Sequence, residues 1–153
     1  MKDVNGGESR QGPNPNLTLL LRSAEYEVSN IMIYTKPDDY KNKVISTLGY
    51  YAQEKFLPKD GSVFYIVGTA NGYDANFIVQ LDHPLKKLTS INENVETIGV
   101  GNYIRVFGRV KELKDYIVEN GSTKKLPVLE AIAIYGAHDT KFINPYWVNL
   151  MYQ

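Results

Sequence analysis

The sequence predicts a mainly β chain: five strands in a small Greek-key barrel, with one short helix between the third and fourth strands and another ahead of the first. Three observations carry that prediction. Asp60-Gly61, Asn71-Gly72 and Asn120-Gly121 each lie between runs rich in β-branched and aromatic residues, the strongest short-range hairpin signal. Between residues 83 and 101 tight turns disappear and Leu85, Leu88, Ile91, Val95 and Ile98 recur at three- or four-residue steps, as on the apolar face of a helix. Gly49 and Gly108 stand in the middle of long strand-like runs, where a small barrel needs bulges or sharp coiling.

The elements follow in order. Residues 1–16 are polar and rich in Gly, Pro and Asn and read as a disordered linker or tail. Val28–Tyr34 reads as a short helix, and 35–41 as a turn into the first strand. That strand is Lys43–Gln53, the second is Ser62–Gly68 and the third Phe77–Asp82, together an antiparallel meander. After the helical connection, Asn102–Leu113 is a fourth strand with Ile104, Val106, Gly108 and Val110 on one face. Leu126–Tyr135 returns as the fifth, with Pro127 marking an edge or an entry point. Three strands, a helix and a hairpin are the order of an OB-fold. The domain spans 17–141 with its helical lead-in, and 142–153 is an apolar C-terminal segment.

Two stretches also carry a resemblance. Lys36-Pro37-Asp38-Asp39-Tyr40-Lys41-Asn42-Lys43-Val44 followed by Gly49 resembles the entry to small bacterial OB-fold domains of the tRNA-anti-like type, where a Pro and a Tyr precede a Gly-Lys pair, a strand and a Gly. Gly101-Asn102-Tyr103-Ile104-Arg105-Val106-Phe107-Gly108-Arg109-Val110 resembles their fourth strand. Asn42 stands where that pattern favours Gly, and Asn102 where it favours Asp. The resemblance covers about residues 28–136. It implies the fold and no particular ligand, because the matching residues are structural.

Composition narrows the chemistry. Lys plus Arg and Asp plus Glu both total 17, so the net charge is zero, unlike a nucleic-acid binder of the usual basic kind. With no Cys there is no disulfide, thiolate nucleophile or cysteine metal site. No apolar run approaches a membrane span and no signal peptide is visible. The polar N-terminal stretch would nevertheless suit a chain that follows a processed leader or lipid anchor, which favours a periplasmic or envelope-associated location over the cytoplasm.

His83 and His138 are far apart and neither belongs to a close-spaced ligand pair, so no metal is expected. His83, in Asp82-His83-Pro84, reads as a cap or turn residue. There is no Gly-x-Ser-x-Gly elbow, and Asp38-Asp39 after Pro37 reads as turn chemistry. Gly99-Val100-Gly101 precedes a strand, so it lacks the helix N-terminus of a phosphate loop. Neither a catalytic residue nor a cofactor is expected.

Binding is the better reading. Twelve tyrosines exceed what a core of this size usually needs. OB-folds bind through aromatics on strands 2 and 3 and the loops around them. Tyr65, Tyr73 and Phe77 fall on or beside those strands, with Tyr50 and Tyr51 on the first. Tyr103, Arg105, Phe107, Arg109 and Lys111 share one face of the fourth strand, a basic and aromatic pattern. The candidate ligand-binding set is therefore Tyr65, Tyr73, Phe77, Tyr103, Arg105, Phe107 and Arg109. The six cations Arg105, Arg109, Lys111, Lys114, Lys124 and Lys125 face the four anions Glu112, Asp115, Glu119 and Glu130. A surplus of two does not make an electrostatic groove.

The expected function is a non-catalytic OB-fold module that engages a protein or peptide partner. Single-stranded nucleic acid bound through strands 2–4 is the alternative. In the C-terminal segment, eight of eleven residues from Phe142 to Tyr152 are large and apolar or aromatic. Such a segment packs back on its own barrel or forms a homodimer interface, with Trp147 as anchor.

Overall fold

The structure, a computed structural model, describes residues 14–52, 57–58, 62–70, 72–85, 101–117 and 121–153. The chain opens with α1 (Pro15–Ser23), β1 (Glu25–Tyr26), α2 (Asn30–Thr35) and α3 (Pro37–Tyr40). The strands β2 (Val44–Ala52), β3 (Val63–Val67), β4 (Thr69–Ala70), β5 (Tyr73–Asp74) and β6 (Phe77–Gln80) follow. Two long strands, β7 (Tyr103–Ile117) and β8 (Thr123–Gly136), precede β9 (Trp147–Val148) and a final 3₁₀ turn at Leu150–Tyr152.

Five strands close into a ring. β2 pairs antiparallel with β3, β3 with β6, β7 with β8 and β7 with β2, and the ring is completed by a parallel contact between β6 and β8. β8 is long enough to serve two neighbours along one edge: β6 meets Val128–Glu130, and β9 meets Ala133 and Ile134. The β7–β8 ladder shifts register between Phe107 and Gly108, the bulge that coils a long strand around a small ring. A Cβ on Gly108 would sit 3.0 Å from the Glu130 carbonyl oxygen and 3.1 Å from the Leu129 Cβ.

Of the expected turns, Gly72 (φ +81°) and Gly121 (φ +85°) take the left-handed conformation that a tight hairpin turn demands. Gly72 closes the small β4–β5 ladder, in which Ala70 opposes Tyr73. Asp60-Gly61 lies outside the described residues, as does the expected helix beyond Leu85. Asn42 also adopts a positive φ (+65°). That conformation explains why a pattern favouring Gly admits Asn here, since Asn tolerates the left-handed region better than most residues.

Alternation along the strands creates an inside and an outside. Ile45, Phe64, Ile66, Phe77, Val79, Ile104, Val106, Leu129 and Ile134 fill the ring, joined by Val28 and Ile33 of the N-terminal region and by Trp147. Outside, the ring carries two further apolar patches, and both are covered. Leu17 and Leu21 of α1, with Phe142, Val148 and Tyr152 of the C-terminal segment, lie over Val44, Phe107, Ile132, Ala133 and Tyr135. Leu57 lies over Tyr65, Ile78, Leu126 and Val128.

α1 was not expected from the sequence, where 1–16 reads as linker. Its signals are local: Asn14 caps the helix, its side chain accepting from the Asn16 N–H at 2.8 Å, and Pro15 occupies the first turn. Two residues that look like linker composition are thus the start signal of a helix. A buried amide pair ties α2 to the segment between β5 and β6. The Asn30 side-chain oxygen accepts from the Asn76 N–H at 2.5 Å, and the Asn76 side chain accepts from the Gly68 N–H at 3.2 Å. No helix among the described residues is long and apolar enough to cross a membrane.

Candidate functional site

On β7 Tyr103, Arg105, Phe107 and Arg109 alternate with the core residues Ile104, Val106 and Val110 and point outward, but the outer face is not a free one. Phe107 is 0 % exposed. Its ring meets Phe142 edge-on at 5.1 Å, Tyr26 at 5.7 Å and Tyr135 at 5.9 Å. Phe77 turns into the ring, also at 0 %, and Tyr65 is 5 % exposed beneath Leu57. None of these three rings faces solvent: Phe77 points into the core, while α1 and the C-terminal segment cover Phe107 and Leu57 covers Tyr65. Tyr73 lies in β5, and its side chain is outside the described set.

The cations are committed as well. Arg105 donates to the Ser46 hydroxyl oxygen at 2.5 Å and to the Glu27 carboxylate at 2.9 Å, and its guanidinium lies 5.2 Å over the Tyr26 ring. Burial raises the pKa of the Tyr26 phenol; Arg105 works against that rise and Glu27 adds to it. Arg109 donates to the Asn42 carbonyl at 3.2 Å, and the Lys111 ammonium to the Asn42 side-chain oxygen at 3.3 Å. Both arginines thus hold the start of β2 and the β1 region against β7.

Among the described side chains of the expected set, Tyr103 has the one ring that lies open. It is 44 % exposed and directly opposite Tyr50 on β2, which is 53 % exposed, with the two ring centroids 4.7 Å apart. Across Tyr50 on its other side stands Val67 of β3, 42 % exposed. Val67, Tyr50 and Tyr103 therefore form a row across three neighbouring strands. Tyr50 and Val67 were absent from the expected set. Period two fixes which face each occupies, but only the register between strands makes them neighbours.

A second feature lies where the C-terminal segment crosses the end of β6. The Asp82 carboxylate binds His83 Nδ1 at 2.7 Å with one oxygen and accepts the Leu150 N–H at 3.0 Å with the other. The His83 ring stacks on Trp147 at 4.8 Å, and the indole N–H donates to the His83 carbonyl at 3.1 Å. Beside this clasp is a recess of about 410 Å³. Sequence reasoning took Asp82-His83-Pro84 for turn chemistry, and nothing local pointed to a partner more than sixty residues away.

Among the described residues no three His, Asp or Glu side chains gather where they could hold a metal ion. What the molecule offers is a neutral aromatic row on the sheet and a concave site beside the C-terminal segment. No protein-family model matches the chain, and no curated protein matches it.

Proposed function

We propose that the protein is a non-catalytic binding module of the OB-fold type that engages a protein or peptide partner through the Val67–Tyr50–Tyr103 row. The ring order supports the fold: first, second, third, fifth and fourth strands in sequence, with the third and fifth parallel, is the connectivity of that Greek-key barrel. The left-handed Asn42 at the position where tRNA-anti-like domains favour Gly supports it further.

The row itself carries the functional reading. Three large apolar or aromatic side chains, each more than two-fifths exposed, stand side by side with no charge among them. Such a surface gains by burying apolar area, at about 25 cal/mol per Å², and tyrosines are favoured anchors at protein interfaces. A polyanion would need free cations, and Arg105 is already paired with Glu27 within the molecule.

Panning a random peptide phage library tests the proposal. Peptides selected by the wild type should bind the Tyr50→Ser/Tyr103→Ser variant at least tenfold more weakly, the loss of one or two interface anchors. Undiminished binding to that variant would refute the row as the site. Tight binding to oligo-dT that falls steeply with salt would replace the peptide reading with the nucleic-acid one.

A further inference from the structure

We infer that the recess beside the Asp82–His83–Trp147 clasp is a second ligand site, which takes a neutral aromatic hydrogen-bond donor such as a phenol or an indole. It stands apart from the sheet-face row and does not depend on it.

Size and walls come first. At about 410 Å³ the recess falls in the range of small-ligand sites, about 300–1,000 Å³. Pro84, Pro145, Tyr146 and Leu150 line it, rings and branched chains that suit a flat apolar body. Leu150 is among the most exposed large apolar side chains of the described residues, so an occupant would remove it from water.

The polar groups then choose the chemistry. His83 gives its Nδ1 to the Asp82 carboxylate at 2.7 Å; in the tautomer that carries its proton on Nδ1, Nε2 is an acceptor. The Gln153 side-chain amide nitrogen donates to the Val148 carbonyl at 2.7 Å, which leaves its oxygen as an acceptor. The indole N–H of Trp147, the obvious donor, is used by the His83 carbonyl. His83 and Gln153 both line the recess and each keeps one acceptor atom outside these bonds, so the ligand we infer brings a donor. A cation is less well served. Both Asp82 oxygens are engaged, one with His83 and one with the Leu150 amide, and the Trp147 ring is buried against His83.

Trp147 is the single tryptophan of the chain, so its indole N–H gives one unambiguous cross-peak in a nitrogen-15 correlation spectrum. The test titrates p-cresol, its methyl ether 4-methylanisole, and ethylammonium chloride into the full-length protein. The inference expects a saturable shift of that peak and of the Leu150 amide with p-cresol, and at least tenfold weaker binding of the ether, which has the same body and no donor. His83→Phe should keep the stack on Trp147 and abolish the preference for cresol over its ether. If that variant fails to fold, Gln153→Leu provides the same comparison at the other acceptor. Equal binding of cresol and ether, a preference for ethylammonium, or no saturable shift would overturn the inference. So would a preference that survives both substitutions. Tyr50→Ser/Tyr103→Ser should leave the cresol titration unchanged, which keeps this result separate from the fate of the sheet-face row.

Discussion

Gly108 shows what a single missing Cβ does in this molecule. It sits opposite the bulge at Ile132 of β8, and the Glu130 carbonyl and Leu129 side chain occupy the space around it at 3.0 and 3.1 Å from where a Cβ would be. Gly108→Val should therefore destabilise the ring by about 1–3 kcal/mol through overpacking, seen as a lower urea midpoint with the secondary structure retained. An unchanged midpoint would mean that β7 relaxes at no cost. This residue was legible in the sequence, since a Gly inside an alternating run marks a bulge or a close approach of another backbone. Phe107, its neighbour, was not. Alternation puts Phe107 on the outer face, but alternation cannot reveal that Leu17, Leu21 and Phe142 cover that face. The same gap separates Tyr65 from a ligand, since its cover, Leu57, belongs to another segment. Burial on an outer face is a property of pairs of segments, and a single run of residues carries no record of it.

At the scale of elements, the strands and the short helix α2 were readable, and α1 and β9 were not. Hairpin turns and period two are local signals, and they located all five ring strands to within a few residues, apart from the longer β7–β8 hairpin. α1 is short and starts in what looks like a linker, and β9 is two residues long. β9 has no period to detect, and the helical spacing of Leu17, Leu20 and Leu21 in α1 is hidden by the linker-like residues before it. Their contribution is nevertheless large, because the C-terminal segment places Trp147 in the main core and Phe142, Val148 and Tyr152 in the outer cluster that includes Leu17 and Leu21 of α1. A chain ending after Asp139 should lose at least the 3–5 kcal/mol typical of deleting one buried aromatic, about 10 °C in melting temperature. It should have the molar mass of the same oligomer as the full chain in light scattering. A dimer that fell apart on truncation would assign the segment to an interface instead.

For the whole molecule, the tyrosines that suggested a binding surface have mostly another role. Burial raises the phenol pKa of Tyr26, Tyr34, Tyr40, Tyr51 and Tyr135. That of Tyr135 is pushed up to about 12, by burial first and then by Asp139 and Tyr26. The folded protein therefore keeps protons that the unfolded chain releases above pH 10. Stability is fully present below that pH and declines as pH rises towards 12, by about 2–3 kcal/mol for Tyr135 alone. Denaturant midpoints at about pH 9 and about pH 11 should show the drop, and Tyr135→Phe should flatten it. A midpoint that does not move would place Tyr135 in contact with solvent.

The closure of the ring between β6 and β8 also bears on how the protein is made. The parallel contact joins Ile78–Gln80 to Val128–Glu130, and the clasp joins Asp82 and His83 to Trp147 and Leu150. A ribosome delivers the first member of each pair long before the second. Until Trp147 has left the exit tunnel, the nascent chain holds an open meander with Phe64, Phe77 and Val79 unsealed, and closure must wait for distant segments to meet. Non-local pairing of this kind sets folding in the millisecond-to-second range, so the half-made chain is the form most in need of protection from its neighbours.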